Sequence, residues 1–322
     1  MDKTSIGWTR GEDGSAGATW NPIRVWATDE TGEELMLGWF CEKVSAECDG
    51  CYAEGLNLYR GNGLRYTRND LVEFRVDEKM LLAPLRWQRS RKIFPCSMTD
   101  WMLRHYPDEW IFALLGVAIL ARQHTFQFLT KRSERQRNLL SKLAKLDGDL
   151  PVKKCVDAVF DLATSKESRR LLDRIGRKMT KQSGAISFPP ANAWIGVSIG
   201  TESSLFRAAH LAATPAALRW WSVEPYIGIY TDHWRTVFRG HMRLGQCDWF
   251  VFGGESGGAA RVCRLHDALL MISDCARFGV PFFFKQTGRF PVLENGETLT
   301  VTAKGEDPSE WPERFRIQEF PK

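Results

Sequence analysis

Six short runs rich in β-branched and aromatic residues recur along the chain, each closing on small or polar residues and each followed by a stretch of helical spacing. They are Lys92–Met98, Thr125–Thr130, Ala193–Ser198, Leu218–Glu224, Asp248–Gly253 and Pro281–Lys285. Near-continuous apolar runs of this length suit strands buried on both faces, and their alternation with helices predicts a parallel sheet. The fold class expected is therefore α/β, a TIM-like full or partial barrel of six to eight βα units. Between the strands, Pro107–Arg122 carries Trp110, Ile111, Leu114, Leu115, Ala118 and Ile119 at the spacing of a core-facing stripe. Its acidic start, Asp108 and Glu109, and Arg122 near its end match the helix dipole. Asp267–Phe278 predicts a similar helix.

Some sixty residues separate Thr130 from Ala193, more than a βα connection requires. Helical spacing over Arg135–Lys145 and Val156–Lys181, broken at Asp147–Pro151 and ending in Ser183-Gly184 and Pro189-Pro190, predicts an inserted helical subdomain over 135–190. The tail 291–322, with Asn295-Gly296, Lys304-Gly305 and Trp311-Pro312, reads as an appendage of turns on a single barrel domain spanning 1–322. Charge sharpens this division. Lys131–Gln182 holds 15 Lys and Arg against 7 Asp and Glu, an excess larger than the net +5 of all 322 residues. Such a block serves either phosphate binding or a solvated helical face. No apolar run approaches the roughly 18 residues of a spanning helix, so no membrane partner is expected. The N-terminal residues lack a basic and apolar leader, which makes a reducing cytoplasm the expected location.

Eight cysteines are present, and three fall close together, Cys41-x6-Cys48-x2-Cys51. Free thiols or metal ligands are favoured over a disulfide framework in a chain of this length. Asp49-Gly50 supplies the tight turn that lets Cys48 and Cys51 approach one centre, and Tyr52-Ala53-Glu54 then starts a helix. Three thiolates are one short of a closed structural site, so a fourth position is open or filled from afar. A 4Fe-4S cluster fits that count. Zinc, completed by a distant Cys or His, remains the alternative. The six histidines show no paired metal-binding spacing, and no compact carboxylate–lysine nuclease motif is present. Most of the thirteen tryptophans lie in the strand runs and read as core, and Cys96, Cys247, Cys263 and Cys275 read as buried thiols.

Several segments together resemble the bacteriophage-encoded three-cysteine-motif family: Thr4–Thr9, Ala18-Thr19-Trp20-Asn21-Pro22, the cysteine run ending in Cys51-Tyr52-Ala53-Glu54, Phe128–Arg132, Trp194–Ser198, Ser222–Pro225, Gly253–Gly257 and Pro281–Gln286. The resemblance spans most of the chain. That family is of long-unassigned function and is similar to radical S-adenosylmethionine proteins in its cysteine loop and expected barrel. The resemblance implies a cluster held by Cys41, Cys48 and Cys51 whose open iron takes S-adenosylmethionine, with reduction from flavodoxin or ferredoxin cleaving the sulfonium. This chain departs from the family pattern at Gly11–Gly17, at Arg24–Phe40 and in the basic insert. Its x6 first spacing also differs from the x3 of most radical S-adenosylmethionine enzymes.

Strand-end residues complete the expected site. Gly253, Gly254 and Glu255 follow one strand, where backbone N–H groups can approach a ligand and a carboxylate can take an amine or a hydroxyl. Glu224 and Lys285 end two others and are candidates for catalysis, or for ion pairing across the mouth. Ser97, Asp100, Lys131 and Ser198 are candidate cosubstrate contacts. The expected function is thus an iron–sulfur enzyme acting on nucleic acid or a nucleotide. The alternative is a zinc-stabilised barrel that serves as a nucleic-acid-binding or adaptor module.

Overall fold

All six apolar runs form strands of one parallel sheet in a computed structural model that describes residues 4–11, 13–28, 31–67, 72–179, 187–302 and 304–322. A seventh strand joins them at one edge. In chain order the strands are β1 (Ala18–Trp20), β2 (Lys92–Pro95), β3 (Thr125–Thr130), β4 (Ala193–Ser198), β5 (Leu218–Tyr226), β6 (Trp249–Gly254) and β7 (Phe282–Gln286), and they lie side by side in that same order. The sheet curls into a half-barrel whose edge strands, β1 and β7, do not pair with each other.

Alternation along each strand decides what fills the trough. Lower positions are aromatic: Phe94, Trp220, Trp249 and Phe283 surround Trp8, which a short turn at Gly7–Thr9 pushes into the curl. The Trp8 ring lies 4.8 Å from that of Phe94 and 5.2 Å from that of Trp220, and Gln127 Nε2 donates to the Trp8 carbonyl at 3.1 Å. Gly196 is required there, since a Cβ would collide with the Trp220 indole. Phe320 stacks on Trp249 at 5.6 Å, while Trp249 Nε1 donates to the Glu319 carbonyl. Two segments outside the sheet, one before β1 and one after β7, thus pack into its curl. Two residues farther along β4 and β5 the inner positions become Ser198 and Ser222, which are small and polar, and the packing opens into a cavity that both line.

Eight helices of seven residues or more are described: α1 (Tyr52–Arg60), α2 (Asp108–Leu120), α3 (Ser133–Ala144), α4 (Leu150–Leu162), α5 (Lys166–Met179), α6 (Phe206–Ala212), α7 (Asp232–Arg243) and α8 (Leu265–Phe278). Within 135–190, α3 packs on α6 and α4 packs on α2. Gly116 lets the latter pair approach, because a Cβ there would strike the Cys155 carbonyl. The periodic stretch 156–181 is not one helix. It breaks at Ala163–Ser165, where Glu78 accepts hydrogen bonds from Thr164 and Ser165 beside the start of α5. Ser183-Gly184 lies outside the described residues. Arg24–Phe40 contributes two strands, Ile23–Thr28 and Glu34–Gly38, to a small antiparallel sheet with Glu73–Val76. In the tail, Trp311 and Phe315 pack on Phe284 of β7 at 4.9 and 5.3 Å. Among the described residues no helix is long and apolar enough to cross a membrane.

The outer layer is tied at Asp274 of α8. Its buried carboxylate accepts from Arg235 at 2.9 Å and from Arg239 at 2.7 Å, both on α7. Burial opposes ionisation, but the two guanidinium hydrogen bonds prevail and hold the carboxyl below its usual range. A depressed carboxylate contributes stability that is complete above its unfolded pKa of about 3.9 and is lost as pH falls through the lower folded value. Asp274→Asn should therefore lower the urea midpoint at neutral pH, corresponding to about 2–3 kcal/mol. The gap to the parent protein should narrow as pH falls below about 4.

Candidate functional site

Because every strand of the sheet is parallel, all seven deliver their C-terminal ends to one side of the molecule. The residues there surround a cavity of about 690 Å³, within the size range of small-molecule sites. Ser97, Asp100, Lys131, Ser198, Glu224, Gly254, Glu255 and Lys285 line it, and so do Cys41, Cys48 and Cys51. Gly253 is the expected site residue outside the lining. It lies flush beside Glu224 and Gln286, which a Cβ would approach at 3.3 Å.

The cysteine loop forms one wall, and three guanidinium groups brace it against strand ends. Arg132, following β3, donates to the Glu42 carbonyl at 2.8 Å, to Asp100 at 2.9 Å and towards Cys41 Sγ at 3.8 Å. Asp100 in turn accepts from Thr130 Oγ1 at 2.6 Å and from the Lys131 N–H at 3.0 Å. Arg207 on α6 pairs with Glu47 at 3.1 Å, donates to the Ser198 carbonyl at 2.8 Å and reaches Ser45 Oγ at 3.0 Å. The Gly200 N–H donates to the same Glu47 oxygen at 3.2 Å. Both side chains of that pair are buried, with exposures of 3% and 0%. Arg261 grips Glu255 through both carboxylate oxygens, at 2.8 and 2.7 Å, and donates to the Ala46 carbonyl at 3.1 Å. Glu255 also packs against Gly50, where any side chain would clash.

These contacts divide the expected residues by what they touch. Asp100 and Glu255 are engaged with arginines that hold the loop, so they act on the cysteines at one remove. Glu224 and Lys285 contact each other directly across the cavity. The Lys131 ammonium has no hydrogen-bond or ion-pair partner among the described residues. Ser222, the register partner of Ser198, has a buried hydroxyl without a hydrogen-bond partner among the described residues. Tyr52 and Tyr66 donate to the carbonyls of Ser97 and Met98 at 2.7 and 2.5 Å. Both carbonyls follow Cys96, which adopts a left-handed φ of 55° and turns the chain out of β2. Sequence reading passed over Glu47, Arg207, Arg261 and Ser222. Only Ser222 carried a signal, being two residues before Glu224 and so on the same face of β5.

Burial pushes the Cys41 thiol up to about 12, an effect Arg132 only partly offsets. Glu47 goes the other way. Burial works against its charge, but Arg207 and the Ser45 and Ser204 hydroxyls outweigh it and bring the carboxyl to about 2. Among the described residues no group of three or more His, Cys, Asp and Glu is placed to hold a metal ion. The three cysteines nevertheless line one cavity, and Cys41 and Cys51 pack against Ala53, Tyr66 and Met98. Soft donors in an apolar setting, with a guanidinium N–H directed at one sulfur, fit an iron–sulfur centre or zinc. The other five cysteines are buried and unpaired.

Removing one partner of a buried pair leaves an uncompensated charge, at a cost of about 3–5 kcal/mol. Arg207→Met should lower stability by that amount in urea denaturation. It should also increase maleimide labelling of Cys48 relative to Cys247, which lies away from the loop.

No curated protein and no solved structure matched this chain. A family described as a protein of unknown function, DUF5131, matches residues 27–311, a span that includes the cysteine loop, all strands from β2 to β7 and every residue lining the cavity except those before Ala27. The chain belongs to that family.

Proposed function

We propose that this protein is an iron–sulfur enzyme of radical S-adenosylmethionine type on a partial TIM-like barrel. The observation that carries the reading is that three cysteines of one braced loop face a cavity at the C-terminal ends of parallel strands. Cys41, Cys48 and Cys51 would hold the group. A three-thiolate 4Fe-4S cluster leaves one iron open and supplies the electron that cleaves the sulfonium of S-adenosylmethionine. The chain's own residues then bind and shield. Lys131 offers an unpaired ammonium for a carboxylate or phosphate. Ser97, Ser198 and the Gly253-Gly254 backbone offer short polar contacts. Glu224 and Lys285 can hold or release a proton at the cavity wall, and the largely aromatic floor excludes water. In this reading the chain is a phage-associated protein working in the host cytoplasm with a flavodoxin or ferredoxin as reductant.

Anaerobic reconstitution with iron and sulfide should give a brown protein with broad visible absorbance that dithionite bleaches. Single Cys41→Ala, Cys48→Ala and Cys51→Ala variants should each lose that colour. A colourless protein holding stoichiometric zinc after the same treatment would overturn the reading in favour of the zinc-stabilised binding module.

A nucleic-acid substrate is favoured by α5, which buries Leu171 and Leu172 while Lys166, Arg169, Arg170, Arg174 and Arg177 remain exposed. Each phosphate contact contributes about 0.9 to the slope of log affinity against log salt on duplex DNA. Neutralising Arg169, Arg170, Arg174 and Arg177 to Gln should therefore flatten that slope by up to about 3.6. Absence of DNA or RNA binding at low salt would remove this part of the proposal.

A further inference from the structure

The helix that follows the cysteine loop is amphipathic in the reverse sense. Its buried face carries Glu54 and Asn57, and its exposed face carries Tyr52, Leu56 and Tyr59. The buried polar groups are satisfied: Glu54 accepts from the Tyr66 N–H at 2.9 Å and pairs with Lys43 at 3.0 Å, while Asn57 bonds Trp39, Asn62 and Leu64. That network staples α1 to its neighbouring loops, so the helix needs no apolar face for folding. The apolar residues at i, i+4 and i+7 nonetheless form a single outward stripe. Tyr52 is 49% exposed, Leu56 44% and Tyr59 83%. Tyr52, Leu56 and Tyr59 are three of the twelve large apolar side chains exposed among the described residues, and their spacing places them on one face of α1.

Two further observations indicate what covers it. Tyr52 and Leu56 also line the cavity, so the stripe runs continuously from the cavity mouth outward, over about 10 Å of helix. Cations with no hydrogen-bonded or ion-paired carboxylate among the described residues stand on the helix, after it and in the cavity. The Arg60 guanidinium lies 5.7 Å from the Tyr59 ring centroid, Arg65 is exposed a few residues on, and Lys131 stands inside the cavity. Exposed aromatic faces interleaved with unpaired cations suit a chain of flat rings joined by anions. They suit an apolar protein surface less well, because it would leave the guanidiniums unanswered.

We propose that the Tyr52–Leu56–Tyr59 face of α1 is the track on which a single-stranded nucleic acid lies as one of its nucleotides enters the cavity. Bases stack on Tyr59 and against Leu56, Arg60 and Arg65 take the flanking phosphates, and Lys131 meets the anionic group of the inserted nucleotide. This deepens the nucleic-acid reading above and rests on it.

Fluorescence anisotropy of a labelled single-stranded oligonucleotide with the full chain tests the track. Tyr59→Ala and Leu56→Ala should each weaken binding by about 5- to 20-fold, the loss expected of one stacked base. Tyr59→Trp, which keeps a stacking face, should bind like the parent. Leu150→Ala, at an exposed leucine elsewhere, should change nothing. If the strand binds but ignores Tyr59→Ala and Leu56→Ala, the track is wrong while nucleic-acid binding survives. If no strand binds even at low salt, both fall. A concentration-dependent dimer in sedimentation velocity that Tyr59→Ala dissolves would overturn the track by assigning the stripe to a second copy of the chain.

Discussion

The buried pair between Arg207 and Glu47 is the joint on which the site depends. It lies where the cysteine loop, the end of β4 and helix α6 meet, and its two side chains are almost wholly removed from water. Burying two charges is costly, and their attraction recovers that cost only when the remaining donors and acceptors are also engaged. Here the guanidinium also reaches the Ser198 carbonyl and Ser45, and Glu47 Oε1 also takes the Gly200 N–H, while among the described residues Glu47 Oε2 and Arg207 Nε are buried without a hydrogen-bond partner, so the pair is satisfied in part. An apolar contact of the same volume would stabilise the fold as well. It would not set the position of one loop against one strand end with comparable directionality. The same reasoning applies to Arg132 with Asp100 and to Arg261 with Glu255, so three directional joints fix an eleven-residue loop along its length.

Much of the barrel was legible because parallel strands are buried on both faces and so write themselves as short apolar runs. β3, β4 and β5 start where those runs start, and β6 and β7 start one residue later. β1 was not legible as a strand. It has three residues, pairs only with β2, and owes its place to Trp20, whose indole donates to the Met80 carbonyl. The join between α4 and α5 was hidden for a related reason. Both helices keep the same apolar period, and the break is made by Glu78, some eighty residues earlier in the chain.

The site was legible by position and much less by role. Strand-end residues were identifiable because a parallel sheet must gather them, and nearly all of them line the cavity. What each one touches was not written locally. Glu255 followed two glycines in a pattern that suggests ligand contact, yet its oxygens meet Arg261, which in turn holds Ala46 from more than two hundred residues away. Lys131 and Arg132 are adjacent and chemically similar, but Arg132 is locked to Asp100 and the loop, while Lys131 lines the cavity with no side-chain hydrogen bond or ion pair among the described residues. Pairing across such separations depends on tertiary geometry, and no local period encodes it.

The reversed polarity of α1 follows from the same division of labour. Helix α1 follows the cysteine loop directly, and polar anchors at Glu54 and Asn57 fix it to its neighbours more directionally than an apolar stripe would. Once the anchors occupy the inner face, the outer face beyond Tyr52 is not needed to hold the helix. Apolar residues left there expose surface that costs solubility without adding stability, so their presence calls for a contact made outside the fold. Tyr59, the most exposed of them, lies farthest along the helix from the cavity, and Tyr52, whose hydroxyl is held by the Ser97 carbonyl, lies at its edge. The gradient from anchored to free ring runs outward along the helix, as expected of a surface that fixes a ligand at the cavity and tolerates variation beyond it.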